Sequence, residues 1–315
     1  MSSIEYYLAA LLMQVNQLPP VRILRPGVWC IAAVGTIYTV CGVIDARQEA
    51  AEMERRRRRF KEGRSLFLPS PSSPSSSPSS SPSLPSMADL PGHTKLMAGL
   101  IATNVGVFAM ERLVPHTSAY FSHVPAGAAA GGLGSNLTLL TSAFGHVGAP
   151  HLLLNMYGLV QFLPPVAHSR AFDGNAPHLG AFYLSAGVLS SYAFHLASAW
   201  PRKLDRMIPA RGASGAVMAI VGAFGMAYPD RQLGIILVPF SLPASQFLAG
   251  LAAFETYGLF VGFKRLPLAH AAHLAGLALG SAYVYFNGRQ YIWRPVQRWT
   301  SRGYRRVAKM LQRAD

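Results

Sequence analysis

Arg211-Gly212-Ala213-Ser214-Gly215-Ala216 opens a stretch that stays apolar to Tyr228, and Ala269 to Ala282 is a second such stretch, with His273 inside it. Uninterrupted apolar runs of this kind read as helices within a lipid bilayer. A serine and a histidine in hydrocarbon suggest a buried nucleophile and its base. Ser185, Ser190, Ser191 and Ser281 also lie in apolar segments, however, and most serines so placed only pack or bond a backbone carbonyl. Histidine is scarcer there because an ionisable side chain is costly at bilayer depth. The joint placement of Ser214 and His273 therefore carries the reading, not either residue alone.

Composition agrees with a membrane protein: 51% of the 315 residues are hydrophobic and only 13% are charged. Apolar windows of about 20 residues, the length that crosses a bilayer, fall at 27–44 and then at Leu96–Leu113, Leu137–Leu163, His178–Trp200, Ala213–Tyr228, Leu233–Phe260 and Leu268–Phe286. The expected fold is all-α and polytopic, one extra transmembrane helix ahead of a six-helix core. Pro229, Pro239 and Pro243 soften the fifth boundary and can move that helix toward Ala244.

The expected divisions are an N-terminal segment 1–26, the extra helix 27–44, a charged and Ser/Pro-rich disordered linker 45–95, the core 96–288 and a basic tail 289–315. Leu68 to Ser86, almost wholly serine and proline, cannot bury enough apolar surface to offset its ordering entropy. The first 26 residues are acid-poor without forming an Arg-rich presequence. Pro115 to Ser135, with four glycines and no basic residue, reads as an irregular loop in or on the membrane. The sequon Asn136-Leu137-Thr138 leaves a secretory-pathway membrane open as an alternative address.

The net charge of +15 points to anionic lipid headgroups rather than nucleic acid, because the basic residues cluster at membrane boundaries without aromatic or glycine-rich binding motifs. From Arg289 to Arg313 eight basic residues and no acid accompany Trp293, Val296, Trp299, Val307 and Leu311 at helical spacing. That pattern describes a helix lying at the headgroups, or a solvated one. Cys30 and Cys41 are too far apart along one helix to pair, so no disulfide framework is implied.

Helix direction alternates across six spans, so the starts of the second, fourth and sixth share one side of the membrane. His151, Ser214 and His273 all lie in those first turns and converge at one depth. His151 and Asn155 share a helix face and can donate hydrogen bonds to a developing oxyanion, or simply clasp two helices. Gly212 and Gly215 leave room beside Ser214, whose amide at a helix start favours negative charge. Gly276 and Gly280, four apart, allow a close helix contact that would bring His273 to the serine.

Glu255 is the one acid in an apolar span at comparable depth, and its expected place at the other end of the core leaves a serine–histidine dyad without a carboxylate. His146, His151 and His270 invite a metal, but no Glu accompanies them in the H-E-x-x-H manner, and no metal is expected.

Gly212-Ala213-Ser214-Gly215, Ala272-His273-Leu274-Ala275-Gly276 and the spacing of His146, His151 and Asn155 resemble the G-x-S-G, A-H-x-x-G and H-x-x-x-x-H-x-x-x-N motifs of the rhomboid intramembrane serine proteases. Asn155-Met156-Tyr157, Tyr183 to Val188 and His270-Ala271-Ala272-His273 look like the mitochondrial, presenilin-associated branch. The resemblance implies Ser214 as nucleophile, His273 as general base, and His151, Asn155 and the Ser214 amide as oxyanion hole. It further implies single-pass transmembrane proteins as substrates, the mitochondrial inner membrane as location, and no cofactor; oligomeric state is left open. A noncatalytic membrane binding protein or chaperone is the alternative. Two positions depart from the family pattern: the loop Pro115 to Ser135 lacks the frequent Trp-Arg pair, and Met218 stands where bacterial relatives often carry tyrosine.

Overall fold

The apolar run 137–163 is not one continuous helix but two, bent by 83° at a break. The computed structural model describes residues 21–65, 90–130, 133–199, 207–234, 240–262 and 269–314. Among these, α1 (Leu24–Ser65) is the extra helix and α2 (Gly92–Leu113) opens the core. A 3-10 turn Pro115–Phe121 and the short α3 (Pro125–Ala130) lead into α4 (Leu133–Thr141) and α5 (Ala149–His168), the two arms of the bent segment. Gly145, Gly148 and Pro150 lie at the break, where helix propagation is weakest. Then follow α6 (Ala176–Ser198), α7 (Ser214–Ala227), α8 (Ala244–Phe260) and α9 (His270–Tyr285). A π-helical turn, Arg289–Trp293, passes into α10 (Arg294–Ala314).

A second expectation changes. The charged segment 45–65 is not part of a disordered linker but continues α1, because it contains strong helix formers, no proline, and no glycine before Gly63. An i,i+4 pair, Arg58 to Glu54 at 2.5 Å, lies along it. The Ser/Pro tether and the first 20 residues fall outside the described residues. The fifth core helix starts at Ala244, the shift that the prolines allow, and two short paired strands, β1 (Gln232–Gly234) and β2 (Ser241–Pro243), precede it. The basic tail is helical as expected: Trp293 is buried, while Trp299, Val307, Met310 and Leu311 are exposed on α10.

The chain is an all-α polytopic membrane protein. Its centre is α7, apolar on every side and buried along most of its length, as a helix without a polar face must be. Leu159, Leu163, Val166, Leu179, Phe182 and Ile220 fill the surrounding core. The extra helix docks outside α6, where Cys30 meets Leu139 and Val188, and Tyr38 meets Ala181 and Trp293. Asp45 accepts from Asn175 Nδ2 at 2.7 Å and from Gln297 Nε2 at 2.8 Å, tying α1, α6 and α10 at one end.

The loop after α2 is anchored without a Trp-Arg pair. His123 and Ala210 exchange backbone N–H···O bonds of 2.9 Å, which fastens the loop to the segment just before Ser214. The His123 side chain continues inward, Nδ1 to Thr138 Oγ1 at 2.8 Å and Nε2 to His195 Nδ1 at 3.0 Å, and His195 Nε2 reaches the Arg22 carbonyl at 3.0 Å.

Candidate active site

Ser214 begins α7 two residues after Gly212, whose φ of +134° is a conformation that side chains disfavour. A Cβ there would fall 2.9 Å from His151 Nε2 and 3.7 Å from Ser214 Oγ. The missing side chain is thus the space that lets the His151 ring approach the serine. Arg211, one residue earlier, pairs with Glu111 in the last turn of α2, both nearly buried. The Ser214 segment is therefore held from two sides, by Glu111 and by the bridge to His123.

Close backbone packing brings α9 onto α7. At Gly276 a Cβ would collide with the Gly215 carbonyl and lie 3.0 Å from Met218 Cβ, and Gly280 lies equally tight against Ala219. Small residues make this approach possible. Across it Ser214 Oγ and His273 Nε2 are 2.7 Å apart. His273 Nδ1 is 3.0 Å from Glu255 Oε1, while His270 Nδ1 is 2.6 Å from Glu255 Oε2.

The expectation that no carboxylate reaches His273 is corrected. In an antiparallel pair the end of α8 lies beside the start of α9, so Glu255, in the second half of α8, belongs to the side of the membrane that carries Ser214. Two signals in the sequence could have found it: an acid in an apolar span, and the same alternation of helix direction that placed His151, Ser214 and His273 together.

The bonding fixes the protons. An ionised carboxylate only accepts, so His273 Nδ1 donates to Glu255, and the bare Nε2 of the neutral ring accepts from the Ser214 hydroxyl. This is the tautomer in which the ring can take the serine proton.

The other named residues gather less completely. His146 packs edge-on against His151, ring centroids 5.1 Å apart, with its Nδ1 3.2 Å from the Phe144 carbonyl, so it orients that ring. Asn155 is buried, and its Nδ2 donates to the His151 carbonyl at 2.8 Å. One N–H of the amide is taken in this bond, leaving the other for a ligand. Gly215 lies against Ser190, where a Cβ would come within 2.6 Å of that side chain.

Beside Ser214 lies a cavity of about 20 Å³ whose lining includes Ser142, Ser190, Ser191, Ala210 and Ala272. It has room for one water and hydroxyls to hold it. Ser190 Oγ has no protein partner among the described residues.

The Rhomboid domain family matches residues 134–290, about half of the chain, a span that holds Ser214, His273, Glu255 and the histidines of the bent segment. Presenilin-associated rhomboid-like protein A, mitochondrial, of Danio rerio is 33% identical over 210 residues, 64% of this chain and 49% of its own length. The chain belongs to the rhomboid family. The human presenilin-associated rhomboid-like protein, mitochondrial, is 31% identical over 201 residues, 64% of this rhomboid and 50% of its own length. Rhomboid protein 1, mitochondrial, of Saccharomyces cerevisiae is 29% identical over 155 residues, 48% of this chain and 42% of its own length. The chain spans about half the length of the curated relatives it matches. Like those relatives it is a mitochondrial membrane protein.

Proposed function

We propose that this rhomboid is an intramembrane serine endopeptidase of the mitochondrial inner membrane that cuts single-pass transmembrane proteins. The observation that carries the reading is the 2.7 Å contact between Ser214 Oγ and His273 Nε2 within an apolar helix bundle. A serine hydroxyl bonded to a bare imidazole nitrogen is a nucleophile with its base in place.

In the proposed reaction Ser214 Oγ attacks the scissile carbonyl carbon while its proton passes to His273 Nε2. The carbonyl oxygen becomes an oxyanion, to which the Ser214 amide, the His151 ring and the free N–H of Asn155 are the donors. Each such donor is typically worth about 3 kcal/mol. Collapse of the intermediate breaks the C–N bond, and His273 gives its proton to the leaving amine. A water then repeats the sequence on the acyl ester, with His273 as base, and frees Ser214. The small hydroxyl-lined cavity at the serine supports this step, because hydrolysis inside a bilayer needs a local water.

Substrate helices must expose a peptide bond to Ser214, which favours segments that unwind readily. Anionic headgroups are the proposed lipid partner of α10, whose exposed Trp299, Val307, Met310 and Leu311 alternate with arginines along one helix. The test is cleavage of a single-pass reporter by the purified protein in proteoliposomes. Ser214→Ala and His273→Ala should each abolish cleavage; undiminished cleavage by Ser214→Ala sinks the reading, and reporter binding without cleavage by the unaltered protein assigns it to the noncatalytic class.

A further inference from the structure

Glu255 is 1% exposed and lies in the apolar interior of the bundle, where an ionised carboxylate survives only with donors on both oxygens. It has them: His273 Nδ1 on Oε1 and His270 Nδ1 on Oε2. The two histidines are three apart in the first turn of α9 and so present one face to α8. On α8 the facing surface is cut to fit. Gly258, one turn after Glu255, has no room for a Cβ because the His270 ring fills that place, and Phe254 meets the same ring edge-on at 5.9 Å.

His273 has to stay in one orientation and one tautomer if its Nε2 is to face Ser214. Met218, next to Gly276, offers no aromatic ring against which it can stack. The Nδ1 bond to Glu255 is the contact that sets both. The titratable and charged groups around the ring are Glu255 from α8, His270 on its own helix, and His151 and Arg211 on the Ser214 side. Glu255 is the one anion among them. When His273 takes the serine proton, the positive charge forms 3.0 Å from a carboxylate oxygen and away from water, where the interaction is strong.

We propose that Glu255 is the third member of the hydrolytic site, a positioning residue that holds His273 as the Nδ1–H tautomer and balances the imidazolium charge formed during attack. The inference rests on the proposed roles of Ser214 and His273. His270 completes it by occupying the second carboxylate oxygen, which leaves Oε1 fixed toward His273.

Glu255→Gln discriminates a catalytic support from a packing contact. An amide puts an NH₂ donor in place of one of the two carboxylate oxygens, so it cannot accept at both; where its NH₂ meets His273, the ring must carry its proton on Nε2 and can no longer accept from Ser214. Turnover of the reporter in proteoliposomes should drop by about 100-fold or more, with KM changed less than about threefold. Labelling of Ser214 by a fluorophosphonate should slow in parallel, measured on the monodisperse folded fraction. Glu255→Asp keeps the charge but withdraws it by one methylene, and should recover about tenfold over Glu255→Gln while staying about tenfold below the unaltered protein. If Glu255→Gln does not fold, the Asp variant decides alone: unaltered turnover in it overturns the proposal. Turnover of Glu255→Gln within threefold of the unaltered protein, with Ser214→Ala dead, overturns the role of Glu255 and leaves the protease reading standing. Cleavage that survives Ser214→Ala removes both.

Discussion

Gly276 lies so close to the carbonyl of Gly215 that a side chain at Gly276 would part the two helices, and the Ser214–His273 hydrogen bond spans that same contact. Packing distance and site geometry are one variable here. Gly276→Ala should therefore lower thermal stability by overpacking, at about 1 to 3 kcal/mol, and lower reporter turnover by about tenfold or more through misplacement of His273. A melt and a turnover assay on the same preparation check it; full activity at lowered stability would show that the bundle relaxes without moving the histidine.

Asn155 supports the oxyanion only if its second N–H is free for substrate. Asn155→Ala should reduce turnover by about tenfold or more with little change in melting temperature. Equal losses of both would assign the residue to its bond with the His151 carbonyl, a structural clasp.

The buried Arg211–Glu111 pair joins α2 to the residue before Gly212. Glu111→Gln leaves a nearly buried guanidinium uncompensated and should cost about 3 kcal/mol or more in denaturation experiments. Glu111→Met combined with Arg211→Met should recover much of that stability. A double variant as unstable as the single one would mean that Arg211 serves chiefly through its other contacts.

His123, outside the spanning helices, is held well below the ordinary histidine range, to about 3, by burial and then by the neighbouring His195. The bonding explains why neutrality matters. The Arg22 carbonyl obliges His195 Nε2 to donate, so its Nδ1 accepts from His123 Nε2, and His123 Nδ1 accepts from Thr138; an added proton on His195 sets two N–H donors face to face, and one on His123 makes the Thr138 hydroxyl give up its bond and turn to accept. Because the folded value is depressed, the unfolded chain binds the extra proton first. Stability should be full above about pH 6.5 and decline as pH falls toward about 3. Melts from pH 8 to pH 5 should show a steeper decline in the unaltered protein than in His123→Gln; identical slopes would move the acid sensitivity elsewhere.

The basic helix α10 should bind anionic vesicles and release them with salt, since it combines many arginines with exposed Trp299, Val307, Met310 and Leu311. Arg302→Glu with Arg306→Glu should weaken reconstitution into anionic relative to zwitterionic membranes. Equal reconstitution into both would place α10 in solvent.

The number of apolar segments, the helical tail, and the histidines and serine that open alternate helices were all legible in order along the chain, because hydropathy and helix alternation are local or additive properties. The motifs around Ser214 and His273 were legible for the same reason: Gly212 and Gly276 mark close approaches whatever lies opposite. The break at Gly145 to Gly148 and the hairpin before Ala244 were only partly so, since apolar character continues through both and hydropathy does not register a bend. Over 45–65 the charge density reads as a linker, but helix propensity prevails and the stretch continues α1.

What the sequence by itself determined is the membrane class, the family and the pair Ser214 and His273, each encoded by composition or by a short motif. Only the tertiary structure decided that Glu255 bonds His273, that His123 bonds His195, which in turn reaches the Arg22 carbonyl, and that Glu111 holds Arg211. Each of these joins groups from segments distant in the chain, and a hydrogen bond between them depends on the separation and rotation of the packed helices to within a fraction of an ångström. That geometry is set by the sum of all the contacts between them, which no single segment carries.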